Sequence, residues 1–210
     1  MRFAPRLLVV AGLMALVAAA CGDDGGTDPG VVTLEGVVVS NPTVALQAGQ
    51  RQLITALGVG TGIASLSDVT FAYTSAAPAI AVVSSTGTIV GFAAGTAVIT
   101  VTASKGGVSK STNVNVTVTG TLPTAFTVVS GAASNDFTPN FAVVQRGGTV
   151  TWTMTGRNHN VMFGATAGAP ANIPTTANQP VGIPRTFASA GTFDYNCNLH
   201  AGMVGTVMVP

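Results

Sequence analysis

The sequence predicts an all-β protein built from two β-sandwich domains in tandem, behind an amino-terminal segment that belongs to neither. Three observations carry this reading. Apolar residues make up 47% of the 210-residue chain and charged residues only 7%, a balance too apolar for disorder. The chain breaks into short β-branched runs separated by Gly, Pro, Ser and Thr, which is the pattern of sandwich strands rather than helices. Finally, Gly120-Thr121-Leu122-Pro123-Thr124 interrupts the strand pattern and reads as a linker between residues 33–119 and 125–210.

At the amino terminus, Arg2 and Arg6 precede an apolar run from Leu7 to Ala20. This run is shorter than the roughly 20 residues that a membrane-spanning helix requires. A positive flank, a short apolar core and small residues at its end make a secretory signal over residues 1–20. The run closes on Ala18-Ala19-Ala20-Cys21, followed by Gly22-Asp23-Asp24. It resembles a bacterial lipoprotein signal, with Ala18 where that motif usually carries Leu. The resemblance implies that Cys21 is lipidated and that the protein is exported. It would be held at a cell membrane by that anchor, on the periplasmic or extracellular face. Residues 21–32, mostly Gly, Asp, Thr and Pro, read as a tether.

In the segment 33–119 the clearest strand is Asn113-Val114-Asn115-Val116-Thr117-Val118, with the three valines on one face and the polar residues on the other. Ala97-Val98-Ile99-Thr100-Val101-Thr102 is a second strand, and Gly106-Gly107 supplies the turn between them. With Thr74-Ser75, Ala81-Val82-Val83-Ser84, Gly87-Thr88-Ile89-Val90-Gly91 and Gly95-Thr96-Ala97-Val98, the segment resembles a bacterial Ig-like domain of group 2. Tyr73 stands where that family often has Trp. No carboxylates, His or Cys gather here, so the segment carries no chemistry and reads as a spacer.

The segment 125–210 is again β-patterned. Val150, Trp152 and Met154 alternate on one face, Val161 and Phe163 share a face with His159, and Phe193 and Tyr195 share one with Cys197. His159 and Cys197 are therefore expected on the apolar side, at strand ends. Residues 164–184, rich in Ala, Pro and Gly, read as a long loop.

The chemistry concentrates in Cys197-Asn198-Leu199-His200-Ala201-Gly202-Met203. A thiolate, an imidazole and a thioether fall within one turn, with the second of the chain's two histidines, His159, upstream. Soft sulfur donors with two imidazoles select copper, and two His and one Cys with a weak axial Met suit an electron-transfer site. Counting disposes of other chemistries. Two Cys and two His leave no room for a disulfide framework, a four-ligand Cys/His zinc site, covalent haem or the extra centres of a copper oxidase. A Cys197–His200 nucleophile pair would lack a third polar group to orient the His. A net charge of +1 with no Lys/Arg cluster gives no footprint for nucleic acid.

The pattern around these residues resembles a cupredoxin of the plastocyanin, pseudoazurin and amicyanin type, over nearly the whole segment. It is carried by Phe137-Thr138-Pro139, Gly148-Thr149-Val150-Thr151-Trp152, His159-Asn160-Val161, Phe187, Gly191-Thr192-Phe193, Tyr195-Asn196-Cys197, His200 and Met203-Val204-Gly205-Thr206-Val207. The resemblance implies a Greek-key sandwich and one type 1 copper ion held by His159, Cys197, His200 and Met203. It also implies that Asn160 braces the ligand loop. Met208 is an alternative thioether, displaced into the next strand. The short gap from His200 to Met203 is like that of amicyanin. Leu199 replaces a frequent Pro, and Asn196 replaces the aromatic beside the Cys in plastocyanins, leaving the edge of His200 as the expected electron exit. The protein is thus expected to be a monomeric electron carrier rather than an enzyme, serving redox proteins such as cytochromes or membrane oxidoreductases. A copper-delivery lipoprotein and a surface adhesion protein are the alternatives. Donor atoms of His159, Cys197 and His200 are expected about 3–4 Å apart, from metal bonds near 2.0–2.3 Å.

Overall fold

The computed structural model describes residues 33–60, 66–131 and 135–210. The signal segment and Cys21 lie outside the described residues. Every regular element among the described residues is a strand, as β-branched runs cut by turn residues dictate.

The first sandwich contains β1 (Gly36–Val39), β2 (Thr43–Gln47), β3 (Arg51–Leu53), β4 (Ala56–Val59), β5 (Thr70–Ser75), β6 (Ala81–Val83), β7 (Thr88–Gly91), β8 (Gly95–Lys105) and β9 (Val108–Thr119). A four-stranded sheet in the order β2-β9-β8-β5 and a three-stranded sheet in the order β3-β7-β6 are accompanied by a separate β1-β4 pair. The alternation expected over residues 113–118 holds: Val114, Val116 and Val118 are buried while Asn113, Asn115 and Thr117 are exposed. Lys105 pairs with Val108, so Gly106 and Gly107 form a two-residue hairpin loop with φ of 56° and 82°. A loop of that handedness matches the twist of its strands but needs residues that tolerate positive φ, which Gly does without steric cost.

The second sandwich contains β10 (Ala125–Ser130), β11 (Phe141–Val143), β12 (Gly148–Phe163), β13 (Ile173–Phe187), β14 (Gly191–Asn196) and β15 (Val204–Val209). β12 serves two sheets. Its first part pairs in parallel with β10 and antiparallel with β13, and its last residues, Met162 and Phe163, pair with Asn196 and Tyr195 of β14. β14 continues to β15, and β15 pairs in parallel with β11.

One expectation is corrected here. Much of the stretch read as a loop is strand β13, and only residues 164–172 connect it to β12. Pro174 and Pro184 lack an N–H for a ladder, but β13 pairs with β12 alone. It is an edge strand, where prolines can turn their missing donors away from the partner. Composition suggested a loop because an edge strand borrows its order from its neighbour.

The core of the second sandwich is aromatic. Phe137, Trp152, Phe187, Phe193 and Tyr195 are buried together, and Trp152 meets Tyr195 edge-on at 5.3 Å between ring centroids. Tyr195 lies over Gly205 of β15, where an added Cβ would fall 2.4 Å from the Tyr195 ring. The glycine is therefore a requirement of this packing. Cys197 and Met203 belong to the same buried cluster, so the candidate site is an extension of the core.

Candidate metal centre

His159 comes from β12 close to where that strand changes sheets. The pairing of β12 with β13 shifts register between Met154 and Asn158 and again between His159 and Val161. Such bulges re-aim side chains. Here they break the two-residue alternation, so that His159, Asn160 and Val161 are all buried in succession. Strict alternation would have sent Asn160 to the opposite face from His159.

Cys197 follows the last residue of β14, and a turn carries the chain to Met203 and into β15. The Cys197 N–H donates to the Met203 carbonyl at 2.9 Å, and the Met203 N–H to the His200 carbonyl at 3.3 Å. These two bonds fold the turn so that Cys197, His200 and Met203 wall one depression. Cys197 Sγ lies 3.5 Å from His200 Nδ1. The imidazoles of His159 and His200 have centroids 4.8 Å apart. Donor atoms of His159, Cys197 and His200 all lie within 4.8 Å of one another. The Cys197–His200 pair thus meets the expected 3–4 Å, while the set as a whole is looser. His159 is placed by a separate strand and not by the turn.

The turn is bracketed from β12. Asn160 Oδ1 accepts from the Asn198 N–H at 3.0 Å, and Asn160 Nδ2 donates to Asn198 Oδ1 and, at 3.4 Å, to Thr175 Oγ1 of β13. This is the bracing role that the resemblance implied for Asn160. Neither Asn198 nor Thr175 was singled out from sequence. Asn198 is an exposed residue beside the buried Cys, and Thr175 falls in the stretch read as loop.

The donor set fits copper on physical grounds. His159 is fully buried, and neither ring nitrogen has a hydrogen-bond partner. A buried polar group left unpaired costs about 1–3 kcal/mol, and coordination would engage one of these nitrogens. Burial, with help from His200 and Arg157, pushes His159 below the usual histidine range. The neutral ring is the form that ligates. Cys197 is a buried free thiol, and Met203 is 1% exposed. His200 is half-buried beside Leu199, which is 47% exposed. Behind the site Tyr195 is pushed up to about 12 by burial.

Among solved structures, the chain is similar to the reduced Cu(I) form of an amicyanin variant, at 32% identity over 41% of this chain and 82% of that one, with a TM-score of 0.36. An oxidized amicyanin variant is similar at 31% identity over 40% and 81%, with a TM-score of 0.36. A fern plastocyanin mutant is similar at 26% identity over 40% and 99%, with a TM-score of 0.36. No curated protein matches the chain. Two family models match it: bacterial Ig-like domain (group 2) over residues 33–116, and copper binding proteins of the plastocyanin/azurin family over residues 124–210. The chain therefore carries a group 2 bacterial Ig-like domain followed, over residues 124–210, by a copper-binding domain of the plastocyanin/azurin family.

Proposed function

We propose that this protein is an exported type 1 copper electron carrier, anchored to a membrane through lipidated Cys21, with His159, Cys197, His200 and Met203 as its ligands. The observation that supports it best is the convergence of two imidazoles and a thiol within 4.8 Å, with the His159 nitrogens buried and otherwise unpartnered. Bound copper would supply the one-electron couple. The chain's part is to hold the donors still. Strand β12 fixes His159, the Cys197–Met203 backbone bond fixes the turn, and Asn160 ties the two together. Donors held this way rearrange little when charge changes, and small rearrangement makes electron transfer fast. The aromatic core excludes water behind the site. Half-buried His200 and exposed Leu199 leave the front open to a redox partner such as a cytochrome or a membrane oxidoreductase, through a small transient contact.

Titrating the purified protein with copper is expected to give an intense visible charge-transfer band, and Cys197→Ser to abolish it. A band that survives the substitution overturns the ligand assignment. Reversible one-electron exchange with a soluble cytochrome is the further requirement of a carrier. Transfer of the metal itself in that assay would make the protein a copper donor instead. Cys21→Ser is expected to move the protein from the membrane fraction to the soluble exported fraction, and retention at the membrane would exclude the lipid anchor.

A further inference from the structure

A third buried cluster belongs to neither sandwich alone. Val90 and Phe92 of the first sandwich pack with Val143 of the second, and Val82, Leu122, Phe141 and Met208 close around them. Strand periodicity shows why this is a docking surface. On β7, Ile89 enters the first core, so Val90 points away from it, yet Val90 is only 5% exposed. On β15, Val207 and Val209 enter the second core, and Met208 points outward into the shared cluster. Each sandwich therefore has a second apolar face, and each face covers the other.

Two further features lock the contact. The Arg51 guanidinium lies over the Phe141 ring, 4.2 Å from its centroid, while Arg51 Nη2 donates to Asn140 Oδ1 at 3.4 Å. A cation on an aromatic face is attractive beyond simple packing. The linker is also held at both ends. The Thr119 carbonyl accepts from the Ala48 N–H at 2.8 Å, and the Pro123 and Thr124 carbonyls accept from the Gln145 and Thr149 N–H groups at 3.0 and 2.9 Å. Leu122, between them, is packed into the cluster.

We propose that the Ig-like sandwich is a rigid mount and not a loosely strung spacer. The β6–β7 face docks on the β11–β15 face, so that the two sandwiches reorient as one body. Met208 lies five residues beyond Met203, about 16 Å along an extended strand. The docked surface is therefore toward the far end of β15 from the ligand turn. A redox partner could reach His200 without displacing the first sandwich, and would meet it in one fixed orientation relative to residue 33.

Nuclear relaxation of backbone amides in the mature protein tests this directly. Amides of β8–β9 and of β12–β14 are expected to report one common tumbling time, and two separate, shorter times would overturn the proposal. Val90→Asp places a carboxylate in the shared cluster without touching the first core, and is expected to split the tumbling into two. Arg51→Ala, at an exposed position, is expected to raise amide hydrogen exchange in β11 several-fold. Val38→Asp, on the exposed face of β1, should leave that exchange unchanged. Unaltered exchange in Arg51→Ala, or a single tumbling time in Val90→Asp, would show that these contacts do not hold the domains. The copper band reports the metal site alone and is expected in every variant, so failure of the mount is distinguishable from failure of the copper reading.

Discussion

The two sandwiches share an architecture and differ in what they bury. The first core is aliphatic, built on residues such as Leu46, Ile54, Ile89, Ile99 and Val114, with Phe71 and Tyr73 only at its margin. The second is packed with rings. Among the described residues the buried polar side chains are Ser130, His159 and Asn160, all in the second sandwich. Burying an unsatisfied polar group opposes folding, so a fold that needed only stability would avoid it, as the first sandwich does. The second accepts that cost, most fully at His159, whose two ring nitrogens are unpartnered where the donors converge. Buried polarity distinguishes the working domain from the mount better than fold does.

The sharpest way to break the comparison is to remove a ring. Trp152 is 1% exposed and meets Phe163, Phe187 and Tyr195. Trp152→Ala is expected to cost about 3–5 kcal/mol, with the smaller Ile99→Ala in the first core toward the lower end of about 2–5 kcal/mol. Denaturant melts followed by circular dichroism check the difference. Equal losses would mean that the rings fill space no better than aliphatic side chains.

Alkaline pH separates the two domains next. Burial holds Tyr73 above the ordinary 10 and pushes Tyr195 up to about 12. Below pH 10 both tyrosines are protonated in the folded and unfolded states, and stability is complete. Above it the unfolded chain ionises first, so stability is lost as pH rises. One group loses about 1.4 kcal/mol per pH unit between its unfolded and folded values. Tyr195 therefore costs the second sandwich up to about 3 kcal/mol by pH 12. Tyr195→Phe is expected to flatten that loss, and Tyr73→Phe to flatten the smaller one in the first sandwich. An unchanged slope between pH 10 and 12 in Tyr195→Phe would remove Tyr195 as its cause.

The legibility of these features in the sequence follows the range of the interaction behind them. Alternation in residues 113–118 and 149–154 is a local property and appears in the structure as read. So does the Gly106-Gly107 turn. His159, Cys197 and His200 were legible because so few donors exist that chemistry selects them. Three features were not. Strand β13 exists because β12 offers it an edge, Asn160 turns inward because of bulges set by that pairing, and the docked faces need both folds to be present. Val90 and Met208 read as ordinary strand residues until the partner surface is in place.

Asn160 offers the finest test, because it divides holding the site from holding the fold. Its side chain accepts from the Asn198 N–H and donates to Asn198 Oδ1 and Thr175 Oγ1. Asn160→Ala removes these bonds from a buried position at about 0.5–1.5 kcal/mol per bond, while the exposed Asn198 and Thr175 can turn to water. Asn113 of the first sandwich also accepts a hydrogen bond, from Thr100 Oγ1 at 3.2 Å, but on an exposed face. Asn113→Ala is expected to change stability by less than about 0.5 kcal/mol. The two variants should differ further in a quantity that stability does not report. If Asn160 holds the ligand turn against β12, its loss lets the His159-to-turn distance vary, so electron exchange slows while Asn113→Ala leaves it unchanged. Self-exchange rates of the copper-loaded variants measure this at a temperature where both are fully folded. Slower exchange in Asn160→Ala alone assigns the asparagine to positioning, and equal rates would reduce it to a structural hydrogen bond that happens to adjoin the site.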